Sequence, residues 1–181
     1  MSTVQPLLFL TLPSSRSDMS SAQAFFIWIQ HSAFSSAIRE STSLFPWLES
    51  IHVLAITTVV GTIAVVDLRL VGLASRDRPV SELMAEILPF TRAAFALAVL
   101  TGSLLFASHA WDYLHKAPFV AKLVLLCVAL LNIAVFHRLT VRDIRSWDTV
   151  RSPPLSVRLA GAISLAVWIG VVACGRWTGF V

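Results

Sequence analysis

The chain is short of charge, of sulfur and of catalytic signatures. Only 13% of its 181 residues are Asp, Glu, Lys or Arg, where a water-soluble domain carries roughly 25%. That excludes an ordinary soluble domain. Two cysteines, Cys127 and Cys174, are too few for a disulfide framework. They fall midway along one apolar block and at the end of another, at depths too different to bridge, and are expected as free thiols. The three methionines, Met1, Met19 and Met84, all lie outside the apolar blocks. This argues against copper export, because Cu(I) favours thioether and thiolate ligands. No His-Glu-x-x-His, no Gly-x-Ser-x-Gly and no paired mid-membrane aspartates occur. An intramembrane enzyme is therefore the least supported class.

What is present is apolar and blocky. Hydrophobic residues make up 56% of the chain and its mean hydropathy is +0.78. Four blocks, at about 45–66, 90–111, 117–137 and 157–175, each approach the ~20 residues that cross a ~30 Å hydrocarbon layer. Pro46 suits a first helical turn, and Pro89 and Pro153-Pro154 precede the second and fourth blocks. Residues 22–38 hold Phe25, Phe26, Trp28 and Phe34, interrupted by Gln30, His31, Ser32, Ser35 and Ser36. This pattern fits a helix lying in the headgroup layer, with a fifth span as the alternative. Residues 1–21 read as a disordered lead. The apolar run Leu7 to Leu12 lacks the basic start of a secretory signal, and Met19 is an alternative initiator. The fold class expected is an all-α integral membrane protein, a four-transmembrane-helix up-down bundle preceded by an interfacial amphipathic helix, with residues 22–181 as a single domain.

The net charge is +4, but the basic residues form no nucleic-acid stripe. Nine gather on the side of the first and third interhelical connections: Arg69, Arg76, Arg78, Arg92, Arg138, Arg142, Arg145, Arg151 and Arg158. The opposite side holds five: Arg16, Arg39, Lys116, Lys122 and Arg176. Positive charge stays cytoplasmic, so an inner-membrane protein with both termini periplasmic is expected.

A family resemblance rests on Pro46, Ile51-His52-Val53-Leu54, Gly61-Thr62, Asp67-Leu68-Arg69-Leu70, Gly72, Leu88-Pro89, Thr101-Gly102, Phe119, Lys122, Asn132, Phe136-His137, Trp168 and Gly175-Arg176. In this order, from about Met19 to the C-terminus, the chain resembles a bacterial four-helix inner-membrane family known as a domain of unknown function. The resemblance implies a small four-helix membrane protein and no particular activity.

Ionisable groups in lipid are costly and mark a function or a partner. Helical depth sorts them into two layers. The layer on the terminal side takes Glu49, His52, His109, Asp112, Lys122 and Arg176; the other takes Asp67, Arg92 and His137, with Asn132 about one turn deeper. His52 and His109 are candidate axial ligands of a b-type haem. They sit about seven and two residues inside their helix ends, or ~10 and ~3 Å. The plain alternative has His52 hydrogen-bonding a neighbouring helix and His109 in the polar interface. Lys122 either snorkels outward, pairs with Glu49 or Asp112, or meets an anionic group such as a haem propionate. Asp67 and Arg92 are expected to pair, with His137 as a third member, and Asn132 to bond between helices. Gly61 and Gly102 either bring helices close or leave room for a macrocycle or quinone, with Trp168 as a cavity wall. Three functions follow: a haem b- or quinone-linked electron-transfer or anchor subunit, a component of a solute or ion transporter, and a ligand-free structural protein. The expected partners are the bilayer and a redox protein or a second copy, and no nucleic acid.

Overall fold

The computed structural model describes residues 20–75, 77–139, 144–149 and 153–181. The expected N-terminal lead therefore lies, through residue 19, outside the described residues, and so do Arg16, Arg76, Arg142 and Arg151 of the charge count. Among the described residues the protein is helical throughout: α1 (Ser21–Gln30), α2 (Ala33–Glu40), α3 (Leu44–Val71), α4 (Val80–Ser108), α5 (Ala110–Leu114), α6 (Ala117–Leu139), α7 (Ile144–Trp147) and α8 (Leu155–Thr178). Four of these, α3, α4, α6 and α8, are long and apolar enough to cross a membrane. Large apolar side chains such as Leu54, Leu100, Leu131 and Ile169 stand exposed around them, the arrangement expected where lipid is the solvent.

The amphipathic segment is two helices rather than one. Ser20 opens α1 with a capping box: its hydroxyl accepts from the Gln23 N–H (3.3 Å) and Gln23 Oε1 accepts from the Ser20 N–H (2.9 Å). Ser32 opens α2 in the same way, accepting from the Ser35 N–H (3.3 Å). That second cap breaks the segment at His31-Ser32. No residue of α1 is buried, and Phe25, Trp28 and Phe34 are exposed.

Helix α4 starts at Val80, ahead of the apolar block, and carries Pro89 inside it. The sequence places a helix start after that proline. The early start is stabilised from another connection: Asp148 accepts the Ser81 N–H (2.8 Å) and the Ser81 hydroxyl, so it caps α4 in trans. Glu82 and Glu86 extend the helix on an exposed face and both meet Arg78 (3.2 and 3.0 Å). At the far end α4 stops at Ser108, where His109 takes φ −140°, and the chain restarts as α5. Arg39 reaches from α2 to this break and donates to the carbonyls of Ser108 (3.1 Å) and Gln30 (2.9 Å). One guanidinium thus serves the C-terminal carbonyls of two helices.

The four spans run up and down. His52 meets Thr101 and Thr62 meets Thr91 across α3 and α4. Asn132 donates to Ala160 O (3.1 Å) across α6 and α8, the interhelical bond expected of it. Gly161 brings α8 against α3: a Cβ there would lie 3.0 Å from both Asp67 O and Leu70 Cβ. The core between α3, α6 and α8 is Val59, Ala129, Val167, Trp168 and Val171. At the end carrying the interhelical connections (the loop face), Leu70, Val80, Phe136, Trp147 and Val157 form a second cluster. Arg69, 0% exposed, sits beside it and donates to Arg78 O (2.9 Å) and Asp148 O (3.2 Å).

The packing order is α4–α3–α8–α6, and α4 and α6 make almost no contact. The bundle is an open arc, with its opening between α4 and α6.

Candidate functional site: a lateral cleft and a histidine seat

The opening between α4 and α6 is a cleft of about 390 Å³, within the roughly 300–1,000 Å³ of small-molecule sites. Ile63, Leu88, Phe95, Leu126, Ala129 and Leu130 give it apolar walls, while Thr91, Arg92 and His137 supply polar groups and Trp168 lines it from α8. Trp168 is thus a cavity wall, though not in the place that Gly61 and Gly102 suggest. Gly61 faces open space with nothing within 4 Å, and Gly102 is covered by the His52 ring.

The polar groups of the cleft are chemically distinct. Arg92 lies within a membrane-spanning helix and is exposed on it. It makes no hydrogen bond or ion pair among the described residues. The expected Asp67–Arg92 pair does not form: depth alone puts both in one layer, but the rotation of α3 turns Asp67 toward α8, where its carboxyl faces Ser164. His137 Nδ1–H donates to Ile133 O (3.1 Å), which leaves Nε2 as the outward-facing nitrogen. The Thr91 hydroxyl donates to Thr62 Oγ1 (2.9 Å), whose own proton goes to Thr58 O (2.8 Å). Side chains lean toward the N-terminus of their own helix. On antiparallel α4 and α6, Arg92 therefore leans toward the loop face and His137 away from it, so the two converge.

The second constellation lies nearer the terminal face. Thr101 Oγ1 gives its proton to Leu97 O (2.7 Å), so it can only accept from His52 Nδ1–H, 2.9 Å away. The tautomer of His52 follows, and Nε2 keeps a free lone pair. Gly102 is required beside it, since a Cβ there would stand 2.8 Å from His52 Cε1. The Thr-Gly pair is thus the seat of the imidazole. Lys122 on α6 interacts electrostatically with His52. Its stem passes Gly175 at 3.6 Å and its ammonium lies 5.4 Å from the centre of the Phe119 ring. It snorkels toward the terminal face and forms no ion pair with Glu49 or Asp112 among the described residues. Phe119 stacks between Phe106 (5.5 Å) and Tyr113 (5.2 Å), closing this end of the bundle.

His109 is not brought to His52. It caps α4 beyond the span, with its ring against Phe45 (5.5 Å) and Tyr113 (5.9 Å) and Nδ1 near the Ser108 hydroxyl (3.0 Å). Seven residues separate it from Gly102 along α4, or ~10 Å of rise. Burial holds its pKa below the ordinary value of 6.5, Arg39 and Lys116 add to that, and Asp112 opposes it. Burial also raises the pKa of Tyr113, helped by Glu49 and Asp112, so its phenol stays protonated. The folded protein binds the His109 proton less well than the unfolded chain. Stability is therefore unaffected above pH 6.5 and falls as the pH drops below it. Thermal unfolding in detergent from pH 8 to pH 5 should show this decline, and His109→Gln should flatten it.

Cys127 is exposed on α6 and Cys174 partly exposed on α8, both free. Among the described residues no group of three or more His, Cys, Asp or Glu is placed to hold a metal ion. Sequence reasoning did not find Ser164, Thr91 or Arg39 as partners of the polar layers. The Ser32 cap, with Ser35 three residues on, was the one available signal for the break between α1 and α2.

Fold and site together define a multi-pass, all-α membrane protein with a lateral cleft between two of its four spans. Residues 25–181 match DUF6644, described as a family of unknown function, and the chain belongs to that family. No curated protein and no solved structure matches it.

Proposed function

We propose that the protein is a non-catalytic membrane subunit linked to electron transfer, and that its α4–α6 cleft receives the head of a quinone-class ligand from the bilayer. The carrying observation is Arg92, a guanidinium without a partner among the described residues, inside a membrane-spanning helix and lining a largely apolar cleft. An intramembrane arginine calls for an acceptor, and a ring carbonyl on an apolar tail supplies one. His137 Nε2 complements it by accepting from a ring hydroxyl. The apolar walls fit the ring and the first part of its tail. In this reading the partners are the bilayer and a periplasmic or membrane redox protein, or a second copy of the chain. The Lys and Arg asymmetry supports an inner-membrane orientation with the loop face cytoplasmic and both termini periplasmic.

The test is equilibrium binding of a short-chain benzoquinone to the purified full chain in nanodiscs. Saturable binding is expected, weakened about tenfold or more by Arg92→Leu, since one charge-assisted hydrogen bond contributes about 1.5–3 kcal/mol. Binding that does not saturate, or that Arg92→Leu leaves unchanged, contradicts the reading.

Haem b is a second reading, favoured by one observation: the fixed tautomer of His52, which presents Nε2 as an iron ligand would be presented. In this reading Lys122 meets a propionate. His109, a helix end away, does not complete a bis-histidine pair. A Soret band in the purified protein, lost in His52→Ala, supports this reading; its absence after expression with added haem removes it.

A further inference from the structure

The polar groups that line the cleft are not interchangeable, because the hydrogen bonds they already make fix which of them can donate. Thr91 has one hydroxyl proton, and both places for it lie in the protein: Thr62 Oγ1 (2.9 Å) and Ile87 O (3.1 Å). Thr62 cannot return a proton, since its own goes to Thr58 O (2.8 Å) or Val59 O (3.0 Å). A hydroxyl has one donor and two acceptor lone pairs, so toward a ligand Thr91 can only accept. His137 is fixed in the same sense. Ile133 O, 3.1 Å from Nδ1, is a carbonyl and takes the Nδ1 proton. In the neutral ring the other nitrogen is then an acceptor.

Donors are scarcer. The Arg92 guanidinium has N–H groups and no acceptor. Trp168, the other lining side chain with an N–H besides the histidine, keeps that atom buried below the surface. Among the described lining residues the cleft therefore offers one donor group and two acceptors. Thr91 and Arg92 are consecutive on α4, and His137 stands across the opening on α6. This set distinguishes the two redox states of a quinone-class ring. The oxidised ring bears two carbonyls at opposite edges, and both only accept. Arg92 satisfies one, and the other meets acceptors alone. The reduced ring bears two hydroxyls. One accepts from Arg92 and donates to Thr91 Oγ1, while the other donates to His137 Nε2, so three protein groups are satisfied instead of one.

We infer that the cleft selects the reduced, quinol form over the quinone, and that Thr91 and His137 set the preference. This rests on the quinone reading of the cleft and adds the redox state of the ligand held there. Two neutral hydrogen bonds made only by the reduced form amount to about tenfold in affinity. The preference is also a statement about potential. Reduction of the ring takes up two electrons and two protons, and the two protons end on the oxygens that face Thr91 and His137. Tighter binding of the reduced member makes the bound couple more oxidising than the free one, by about 30 mV for each tenfold at two electrons. The cleft is thus a holding site for the reduced carrier.

The test compares equilibrium binding of a short-chain benzoquinol and the matching benzoquinone to the full chain in nanodiscs. It is run without oxygen and at pH 8, where imidazoles are neutral. The dimethyl ether of the quinol, which keeps the ring and loses both O–H groups, is the redox-inert control. The quinol is expected to bind about tenfold more tightly than the quinone, and the ether no more tightly than the quinone. Thr91→Val and His137→Phe should each bring the quinol-to-quinone ratio toward one, and Arg92→Leu should weaken both forms. The wild-type ratio needs no variant to assemble. Equal affinities in the wild type, or a ratio that neither Thr91→Val nor His137→Phe changes, overturn the preference; saturable binding that Arg92→Leu weakens then leaves the quinone reading standing. If neither form binds saturably, the quinone reading falls and the preference with it.

Discussion

Replacing Arg69 with alanine should destabilise the protein by about 3 kcal/mol or more, the largest effect expected of any single substitution at the loop face. Arg69 is fully buried and donates to two carbonyls in two different connections, Arg78 O and Asp148 O. Removing it takes the guanidinium donor from both carbonyls and leaves Asp148 O with only the long bond from the Val80 N–H (3.4 Å), and hydrogen bonds to a charged group contribute about 1.5–3 kcal/mol each. The loss propagates, because Asp148 also caps α4 through Ser81. Arg69→Lys should recover only part of the stability, since one ammonium on a shorter reach cannot reproduce the fork of a guanidinium. Thermal unfolding in detergent, with protease sensitivity of the two connections, measures both. An Arg69→Ala protein as stable as the wild type would show that the loop face is held by its apolar cluster alone.

Gly161→Leu is the second. The α3–α8 contact depends on a position with no room: a Cβ would meet a backbone oxygen and a Cβ at 3.0 Å, with Val71 Cγ2 at 3.3 Å. These atoms belong to the helix framework and cannot swing aside. Overpacking of this kind costs about 1–3 kcal/mol and occasionally more, and a leucine at a backbone contact belongs at the top of that range. Gly61→Leu is the control: nothing lies within 4 Å of that position, and stability should be nearly unchanged. Melting temperatures of the two variants decide the matter.

The spans were legible in the sequence because lipid imposes one simple demand, a run of apolar residues long enough to cross it. Their ends were less so. Val80 to Leu88 continues α4 beyond the apolar block with charged residues on one face, and what sustains it is a cap from Asp148, distant in sequence. Pro89 therefore reads as a helix start when it is an interior residue. The site was legible by depth and not by direction. Rise per residue put Asp67, Arg92 and His137 in one layer, but which of them meet is set by rotation about each helix axis. That rotation sends Asp67 to Ser164 and leaves Arg92 and His137 in the cleft. In the same way His52 and His109 share a side of the bundle yet stand at different levels, because α4 ends at Ser108 and His109 belongs to the break. The opening between α4 and α6 has no sequence signature, since lipid-facing and cleft-facing apolar residues look alike.

Occupation of the cleft by a quinone is tested by photolabelling with an azidoquinone in the native bilayer, followed by peptide mapping. Label is expected on α4 around Arg92 and Phe95 and on α6 between Leu126 and Ile133, competed by unlabelled quinone and lost in Arg92→Leu. Label scattered over the lipid-facing sides of all four spans, or indifferent to competitor, would contradict it.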